Sequence, residues 1–387
     1  MKFFKRLIVS IVVSFSFCAM SAQKEGDVKI SWLERFDLGG GGYARVHRLL
    51  DGRYMAAYAR GDAIVARFAT IDNIANWSEP TVVARGFTVS NAHGKIKVHL
   101  ANVEFAQLKT GRIIYACNLR PQGWRHDIHP CGIAISLSDD AGKTWSPLKV
   151  IYCPSINSPA DGHPRGCYEP FVLPLDDGKV QIYFADETPY DKAKCAWQNI
   201  SFVESSDLGK TWGDVKMASY TPKCRDGMPV VAELGKWRYL AIEANPNSTF
   251  LHPQIVRTLI SDNWNGGILN PSPNRSEPII SHPDWKDVIG GAPYIAMTKN
   301  FVLLSWQEGA KGKNDLHDLT VRVAAMPKSE ISLDGAITSM RGNSTPPQIT
   351  GKPTLWNALC PLDDDHFLLV SEERGHIVLY RGVVSLQ

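Results

Sequence analysis

The sequence lacks the long apolar runs of a membrane-spanning protein. Its apolar run from Leu7 to about Cys18 is too short for a spanning helix with stop-transfer flanks, so no membrane span is expected. Three basic residues precede this run and small residues follow it, which predicts a secretory signal peptide over residues 1–22. We therefore expect an exported protein, periplasmic or extracellular. Lipidation of Cys18 stays open, although Phe17 fits a lipoprotein cleavage site poorly.

The remaining chain also lacks a charge imbalance and a cysteine framework. After residue 22 it holds 39 of the 42 Lys and Arg residues beside 39 Asp and Glu. A net charge near zero argues against a polyanion-binding surface, so no nucleic-acid partner is expected. Seven of the eight cysteines remain, without the tight spacing of a disulfide scaffold. At least one thiol should therefore be free or intermolecular, and no pairs are assigned.

No convincing amphipathic helix, linker or low-complexity segment interrupts residues 23–387. Instead, tight turns between apolar strands recur six times, in LLDGRY, LKTGRI, LDDGKV, ELGKWR, MTKNFV and LDDDHF. Equivalent turn positions are Gly52, Gly111, Gly178, Gly235, Asn300 and Asp365, which gives steps of 59, 67, 57, 65 and 65 residues. This repeat predicts an all-β fold, a single six-bladed β-propeller of four-stranded antiparallel blades, and we expect a monomer.

A second repeated motif supports a propeller. SDDAGKTW (Ser138–Trp145) and SSDLGKTW (Ser205–Trp212) share Ser-x-Asp-x-Gly-x-Thr-Trp. These motifs resemble the Asp boxes, or BNR repeats, of sialidases and related glycoside hydrolases, a resemblance that implies six blades. We interpret Asp140 and Asp207 as turn-forming residues, because an Asp side chain can close such a turn by itself.

Polar and aromatic residues collect where the innermost hairpin of each unit starts and ends. In a propeller these positions meet at one mouth of the central channel. Candidates for substrate binding there are Arg45, Asn102, Arg120, Glu187, Arg225, Asp226, Tyr294, Trp356 and Asn357. Such a mouth suits a carbohydrate, with amides and guanidinium groups for hydroxyls and flat rings for sugar faces. For any single position, an ordinary solvated strand end is the alternative.

Two further glutamates at the same mouth could cleave a glycosidic bond, which requires one protonated and one ionised carboxyl group. Glu169 lies between Tyr168 and Pro170, where desolvation would raise its pKa and suit it to proton donation. Glu243 ends the apolar run YLAIE near Arg225, which would favour its ionised form. A retaining enzyme would place the two carboxyl groups roughly 5 Å apart. No cofactor or metal is expected, and HDIHPC (His126–Cys131) is interpreted as a polar loop.

Six segments in order resemble glycoside hydrolase family 93 along most of the chain. They are GGYARVHRLLDGRY, ANVEFAQLKTGRIIYA, YEPFVLPLDDGKVQIYFADE, RDGMPVVAELGKWRYLAIE, GAPYIAMTKNFVLLSWQ and LWNALCPLDDDHFLLVSEERGHIVLYRG. The resemblance implies an exo-α-1,5-L-arabinanase that releases arabinobiose with retention, with Glu169 as acid/base and Glu243 as nucleophile. It also implies sugar contacts for Arg45, Asn102, Arg225, Asp226, Tyr294 and Trp356. The segment CNLRPQGWRHDIHPC departs from that family and leaves the neighbouring subsite and the sugar open.

Two other functions fit the same residues. A sialidase would use an arginine triad and a tyrosine nucleophile. Arg45, Arg225 and Tyr294 could serve those roles, but YARV departs from the Phe/Tyr-Arg-Ile-Pro pattern of sialidases. A non-catalytic glycan-binding propeller would keep the pocket without productive carboxylates.

Overall fold

The computed structural model describes residues 26–70, 72–155, 165–190, 197–245, 250–279, 288–310, 318–347 and 353–387. The predicted signal peptide and Cys195 lie outside these ranges. Six antiparallel sheets form the blades of a β-propeller, which confirms the fold predicted from the repeat. Two of the sheets carry a fifth strand. Among the described residues, no helix has the length and hydrophobicity needed to cross a bilayer.

The strands, in chain order, are β1 (Val28–Gly40), β2 (Gly42–Arg48), β3 (Tyr54–Arg60), β4 (Ala63–Ala69), β5 (Thr81–Arg85), β6 (Phe87–Asn91), β7 (Gly94–Gln107), β8 (Ile113–Pro121), β9 (Gly132–Ser138), β10 (Lys149–Tyr152), β11 (Cys167–Pro174), β12 (Val180–Asp186), β13 (Asn199–Ser205), β14 (Lys216–Tyr220), β15 (Asp226–Leu234), β16 (Trp237–Ala244), β17 (His252–Leu259), β18 (Ile268–Leu269), β19 (Arg275–Ser276), β20 (Val288–Met297), β21 (Phe301–Ala310), β22 (Thr320–Pro327), β23 (Arg341–Ser344), β24 (Thr354–Pro361), β25 (His366–Glu373) and β26 (His376–Leu386). Short 3-10 turns cover Gln122–Trp124, Thr188–Tyr190 and Lys328–Glu330.

The blades follow the chain around the channel. Blade 1 is β2-β3-β4-β5, blade 2 is β7-β8-β9-β10 with β6 beside β7, and blade 3 is β11-β12-β13-β14 with β18 at its edge. Blade 4 is β15-β16-β17-β19, blade 5 is β20-β21-β22-β23 and blade 6 is β24-β25-β26-β1. Strand β1 pairs with β26 from Val28 opposite Leu386 to Gly40 opposite His376. The two ends of the chain therefore close the ring in one sheet, which leaves no open gap between the first and last blades.

Both faces of the second strands are buried because each blade is packed between two others. All seven residues of β12 are buried, and their sequence VQIYFAD is almost continuously apolar. Aromatic rings fill the space between the sheets: Tyr183 stacks on Phe202 with ring centroids 5.2 Å apart, and its hydroxyl accepts a hydrogen bond of 2.8 Å from the Trp264 indole. The core is thus built from inter-blade layers.

The two Asp boxes form matching turns at the ends of β9 and β13. Asp140 accepts hydrogen bonds from the backbone N–H of Thr144 at 2.8 Å and from its hydroxyl at 2.6 Å. Asp207 makes the same two bonds to Thr211, at 2.8 and 2.6 Å. The turn-forming interpretation of both aspartates is confirmed, and neither is left for chemistry.

Two glycines with the same φ provide a matched test of inter-blade packing. Gly142 and Gly178 both have φ near +87°, which disfavours a side chain. A Cβ on Gly142 would lie 2.7 Å from Phe68 Cζ, whereas nothing lies within 4 Å of one on Gly178. Gly178→Ala should therefore cost about 1–2 kcal/mol of unfolding free energy, and Gly142→Ala about 1–3 kcal/mol more. Chemical denaturation of both variants checks this; equal losses would contradict the predicted contact.

Candidate active site

A bulge interrupts the innermost strand of every blade at the mouth of the channel. The registers shift between Gly42 and Arg45, Ala101 and Glu104, Tyr168 and Phe171, Gly227 and Val230, Gly291 and Tyr294, and Leu355 and Ala358. Each bulge holds one residue with positive φ: Tyr43, Asn102, Glu169, Met228, Ala292 and Trp356. A bulge changes the direction of a side chain, and the six bulges direct one side chain per blade toward the same opening. The site is therefore built from one equivalent backbone position per blade.

The six re-aimed side chains meet. Tyr43, Met228 and Ala292 form one apolar cluster, with Trp356 packed against it. The Tyr43 and Trp356 rings lie 5.8 Å apart. On the other side, Asn102 hydrogen bonds with the Tyr43 hydroxyl, and the charge of Glu169 also acts on that hydroxyl. The mouth thus has an apolar arc from blades 1, 4, 5 and 6 and a polar arc from blades 2 and 3.

Glu169 is a buried carboxyl group with an unused oxygen. It is 9% exposed, and its Oε2 has no hydrogen-bond partner. Burial raises the pKa of Glu169 to about 7; the nearby Arg225 opposes this rise, and the charge of Glu243 adds to it. The predicted desolvation of Glu169 is present in the structure. A carboxyl group in this state can donate its proton near neutral pH.

Both oxygens of Glu243 are fixed by donors from two blades. Its Oε1 accepts hydrogen bonds from Arg225 Nε at 3.0 Å and Nη2 at 2.6 Å, and its Oε2 accepts one of 2.9 Å from the backbone N–H of Ala292. The bonds from Arg225 are charge-assisted and hold the carboxylate in one orientation. A Cβ on Gly291 would lie 3.0 Å from Oε2, so a glycine there leaves room for the carboxylate.

Further charges surround this pair. Glu187 accepts hydrogen bonds from the backbone N–H of Gly166 at 3.2 Å, the Tyr168 hydroxyl at 3.1 Å and Gln198 Nε2 at 3.0 Å. Arg120 donates to Asn118 Oδ1 at 2.8 Å and to Asn102 Oδ1. Arg225 and Arg120 both lower the pKa of Glu169, whereas Glu243 and Glu187 both raise it. Two guanidinium groups and three carboxyl groups therefore act on one another at the mouth.

A second polar layer lies two residues deeper along the innermost strands. Glu104 is 3.4 Å from Arg45 Nε, 2.7 Å from His47 Nε2 and 3.3 Å from the Tyr294 hydroxyl. The Arg45 guanidinium also lies 4.0 Å from the Tyr43 ring centroid and donates to the Trp356 carbonyl at 3.3 Å. Arg45 and Tyr294 therefore lie below the mouth and brace it. Glu104 was not predicted, although the repeat places it level with Arg45.

Two further residues predicted as sugar contacts bond to neighbouring segments of the protein. Asp226 is fully buried and accepts from Ser219 and Thr221 at 3.0 Å each and from Arg275. Asn357 donates to the Ala292 carbonyl at 3.1 Å and to Ser305 Oγ at 2.7 Å. Both side chains bond neighbouring segments. Asp226 is not retained as a sugar contact, whereas Asn357, whose Oδ1 has no hydrogen-bond partner, stays a predicted one.

Blade 2 carries a wall beside the mouth. Strands β6 and β7 extend past the end of β8, where Val98 pairs with Pro121, as a hairpin from Phe87 opposite Val98 to Asn91 opposite Gly94. The loop after β8 packs on this hairpin, with Asn91 Nδ2 donating to the Asp127 carbonyl at 3.0 Å and Arg125 to the His93 carbonyl at 3.0 Å. This loop is the departing segment noted in the sequence.

The HDIHPC segment in that loop serves packing. His126 is buried, with Nδ1 3.2 Å from the Arg165 carbonyl and Nε2 3.6 Å from Cys131 Sγ. Across the described ranges, no group of three or more His, Cys, Asp or Glu side chains is arranged to hold a metal ion. In the same ranges Cys117, Cys131, Cys153, Cys167 and Cys360 are free thiols.

The state of Glu169 should appear in the pH dependence of stability. The unfolded chain releases this proton near the ordinary pKa of 4.5, whereas the folded protein keeps it until about pH 7. Between these values the folded state binds more protons, so the stabilisation present below pH 4.5 is lost as pH rises. The loss amounts to about 3 kcal/mol. We expect the unfolding free energy of wild type minus that of Glu169→Gln to fall over this range; a constant difference would show an ordinary pKa.

Comparison with known proteins identifies the fold. No protein-family model matches the sequence, and no curated protein matches it. Among solved structures, the α-L-arabinanase of Penicillium chrysogenum complexed with arabinobiose has a TM-score of 0.64 at 17% identity, covering 91% of this chain and 98% of that chain. The chain therefore shares the β-propeller fold of this arabinanase.

Two further solved structures are similar to this chain in fold. The GH93 α-L-arabinofuranosidase of Fusarium graminearum in complex with arabinobiose has a TM-score of 0.61 at 14% identity and covers 90% of this chain and 97% of that chain. The sialidase of Trypanosoma rangeli has a TM-score of 0.54 at 10% identity, with 91% and 59% covered. At these identities the similarity establishes the architecture, and activity has to be argued from the site.

Proposed function

We propose that the protein is an exo-acting, retaining glycoside hydrolase that releases arabinobiose from α-1,5-linked L-arabinan. Glu169 is the general acid/base and Glu243 the nucleophile. The observation that carries this proposal is the pairing of a buried, unpartnered carboxyl group of pKa about 7 with a carboxylate fixed by Arg225 and the Ala292 N–H. Two carboxyl groups in opposite protonation states are what glycosidic cleavage requires.

Glu169 and Glu243 can carry out the proton transfer and the nucleophilic attack that the reaction requires. Glu169 would donate its proton to the leaving oxygen while Glu243, which carries no proton, attacks the anomeric carbon. Glu169, now ionised, would then take a proton from the water that hydrolyses the glycosyl ester. Arg225 lies beside both carboxylates and would stabilise the negative charge that Glu169 acquires between the two steps.

The shape of the mouth supports a carbohydrate chain end as substrate. The rings of Tyr43 and Trp356 offer flat apolar faces, and Asn102, Arg120 and Arg225 offer hydrogen bonds on the polar side. The wall on blade 2 would stop a polymer from passing across the opening, which favours cleavage from an end. The choice of arabinan rests on the sequence resemblance and on the arabinobiose complexes of the two structural neighbours.

A sialidase is the second candidate, because one observation favours it. The Tyr294 hydroxyl lies 3.3 Å from Glu104 Oε2, with Arg45 beside both groups, as a tyrosine nucleophile with a glutamate partner would require. However, burial raises the pKa of Tyr294 well above its ordinary value, and the charge of Glu104 adds to that rise. Arg45 and Arg225 are already paired with Glu104 and Glu243, which leaves a substrate carboxylate fewer free partners.

Hydrolysis by the purified protein tests this proposal. Linear α-1,5-arabinan and sialyllactose would be incubated separately with wild-type protein, and the products separated by chromatography. We expect arabinobiose as the first product from arabinan and no free sialic acid. Release of sialic acid without arabinobiose would instead move the chemistry to Tyr294 and Glu104. Absence of both products would contradict the arabinanase and the sialidase alike.

A further inference from the structure

Gln198 immediately precedes β13 of blade 3 and forms a bridge to Arg225, just before the first strand of blade 4. Its backbone is fixed at both polar atoms. Its N–H donates to the Cys224 carbonyl at 3.2 Å, and its carbonyl accepts from the N–H of Asp226 at 3.0 Å. The residue is 2% exposed. A side chain on such a clamped backbone is held in place before any ligand arrives.

The orientation of the Gln198 amide follows from its partner. Nε2 donates to Glu187 Oε1 at 3.0 Å. The other oxygen of Glu187 already accepts from the Tyr168 hydroxyl and the Gly166 N–H, so this carboxylate acts as an acceptor throughout. The Gln198 amide nitrogen must therefore face Glu187, and its Oε1 must face the other way.

Gln198 Oε1 has no hydrogen-bond partner and lies beside Arg225 and Glu243. A Cβ atom on Gly227 would lie 3.0 Å from Arg225 Nε and 3.1 Å from both Gln198 Oε1 and Glu243 Oε1. The three polar atoms therefore surround the space that Gly227 leaves free. Arg225 and Glu243 satisfy each other, whereas Gln198 brings an acceptor for which the protein supplies no donor. A buried acceptor of this kind costs free energy unless a partner satisfies it.

We propose that Gln198 is a specificity-determining residue whose Oε1 accepts a hydrogen bond from a sugar hydroxyl in the subsite next to Glu243. Glu187 orients Gln198 through the amide nitrogen and does not itself contact the sugar. The inference rests on the proposed function, because the ligand is an arabinofuranosyl residue. It assigns to Glu187, which was predicted as a direct sugar contact, a positioning role instead.

Calorimetric binding of arabinobiose, the expected product, tests the inference without turnover. Gln198→Met should weaken binding roughly 10- to 100-fold, because a buried acceptor and its bond to the hydroxyl are lost. The matched control is Gln181→Met: Gln181 is a fully buried glutamine in β12 whose amide already bonds Glu204, Asn263 and Tyr183. This control should bind arabinobiose within about twofold of wild type, since the lost bonds do not face the mouth.

Analogues of arabinobiose that each lack one hydroxyl give the decisive comparison. One analogue should bind wild type as weakly as Gln198→Met binds arabinobiose, and should bind both proteins equally. If Gln198→Met does not fold, Gln198→Asn, which withdraws the amide by one methylene, serves with the same analogues. Equal affinity of wild type and these variants for arabinobiose would overturn the inference.

The result also separates this inference from the proposed function. Hydrolysis of arabinan by wild type with binding that does not depend on Gln198 would overturn only the role of Gln198. Binding that depends on Gln198, without hydrolysis of arabinan, would support that role and overturn the proposed activity. A protein that neither cleaves arabinan nor binds arabinobiose would contradict both.

Discussion

Glu169→Gln is expected to lower kcat on α-1,5-arabinan by roughly 10²- to 10⁴-fold, the usual contribution of a positioned general acid. The loss should be much smaller for the first step with an aryl α-L-arabinobioside, because a nitrophenolate leaves without protonation. Burst kinetics of nitrophenol release would show this, since the glycosyl-enzyme then accumulates while its hydrolysis still lacks a general base. The amide keeps the volume of the carboxyl group, so the thermal midpoint should not fall below that of wild type at neutral pH.

Glu243→Gln supplies the comparison for that experiment. Without the nucleophile the glycosyl-enzyme cannot form, so both substrates should lose activity and no burst should appear. The contrast between the two variants carries the assignment of roles. A burst in Glu243→Gln, together with equal losses on both substrates in Glu169→Gln, would mean that the roles are reversed.

Removing Glu104 is expected to have the largest effect on stability. Glu104→Leu would leave Arg45 buried without its carboxylate partner, and loss of one member of a buried pair costs about 3–5 kcal/mol. Arg45 and Glu104 are 4% and 2% exposed at their side chains. The double variant Arg45→Met/Glu104→Leu should recover most of that loss, because no unpaired charge remains.

An exposed ion pair provides the control for this cycle. Lys109 and Asp176 are 2.8 Å apart, and their side chains are 74% and 95% exposed. Asp176→Ala should change the unfolding free energy by less than about 1 kcal/mol. Urea denaturation of wild type, Arg45→Met, Glu104→Leu, the double variant and Asp176→Ala measures all of these values. If the losses of unfolding free energy in the two single variants add up to the loss in the double variant, the Arg45–Glu104 ion pair does not stabilise the protein.

The sequence was sufficient to predict the propeller because each blade repeats the same hairpin. Glu169 and Glu243 could also be proposed from the sequence as a catalytic pair, since each is a carboxylate beside an apolar strand segment. The bulge, which adds one residue to each innermost strand, could not be predicted by counting residues from the hairpin turns. Asp226 was assigned to the mouth for this reason, whereas Met228, two residues later, is the re-aimed residue of blade 4.

A signal for the bulge does exist in the sequence. Glu169, Met228 and Ala292 each precede a proline, and the repeat aligns them with Tyr43, Asn102 and Trp356. Proline has no N–H to donate to a strand partner, so its recurrence near the start of an innermost strand indicates interrupted pairing. Gln198 carries no comparable signal. Its importance depends on Glu187 and Gly227, which are brought to it from other segments by the fold.

The anomeric configuration of the first product tests most directly whether Glu243 acts as the nucleophile. Wild-type protein would be mixed with an aryl α-L-arabinobioside in D₂O, and the anomeric proton of the released arabinobiose followed by NMR before mutarotation. We expect the α anomer to appear first, because Glu243 attacks the anomeric carbon and water then displaces Glu243. Appearance of the β anomer first would contradict it, since Glu243 would then act as a base for direct attack by water.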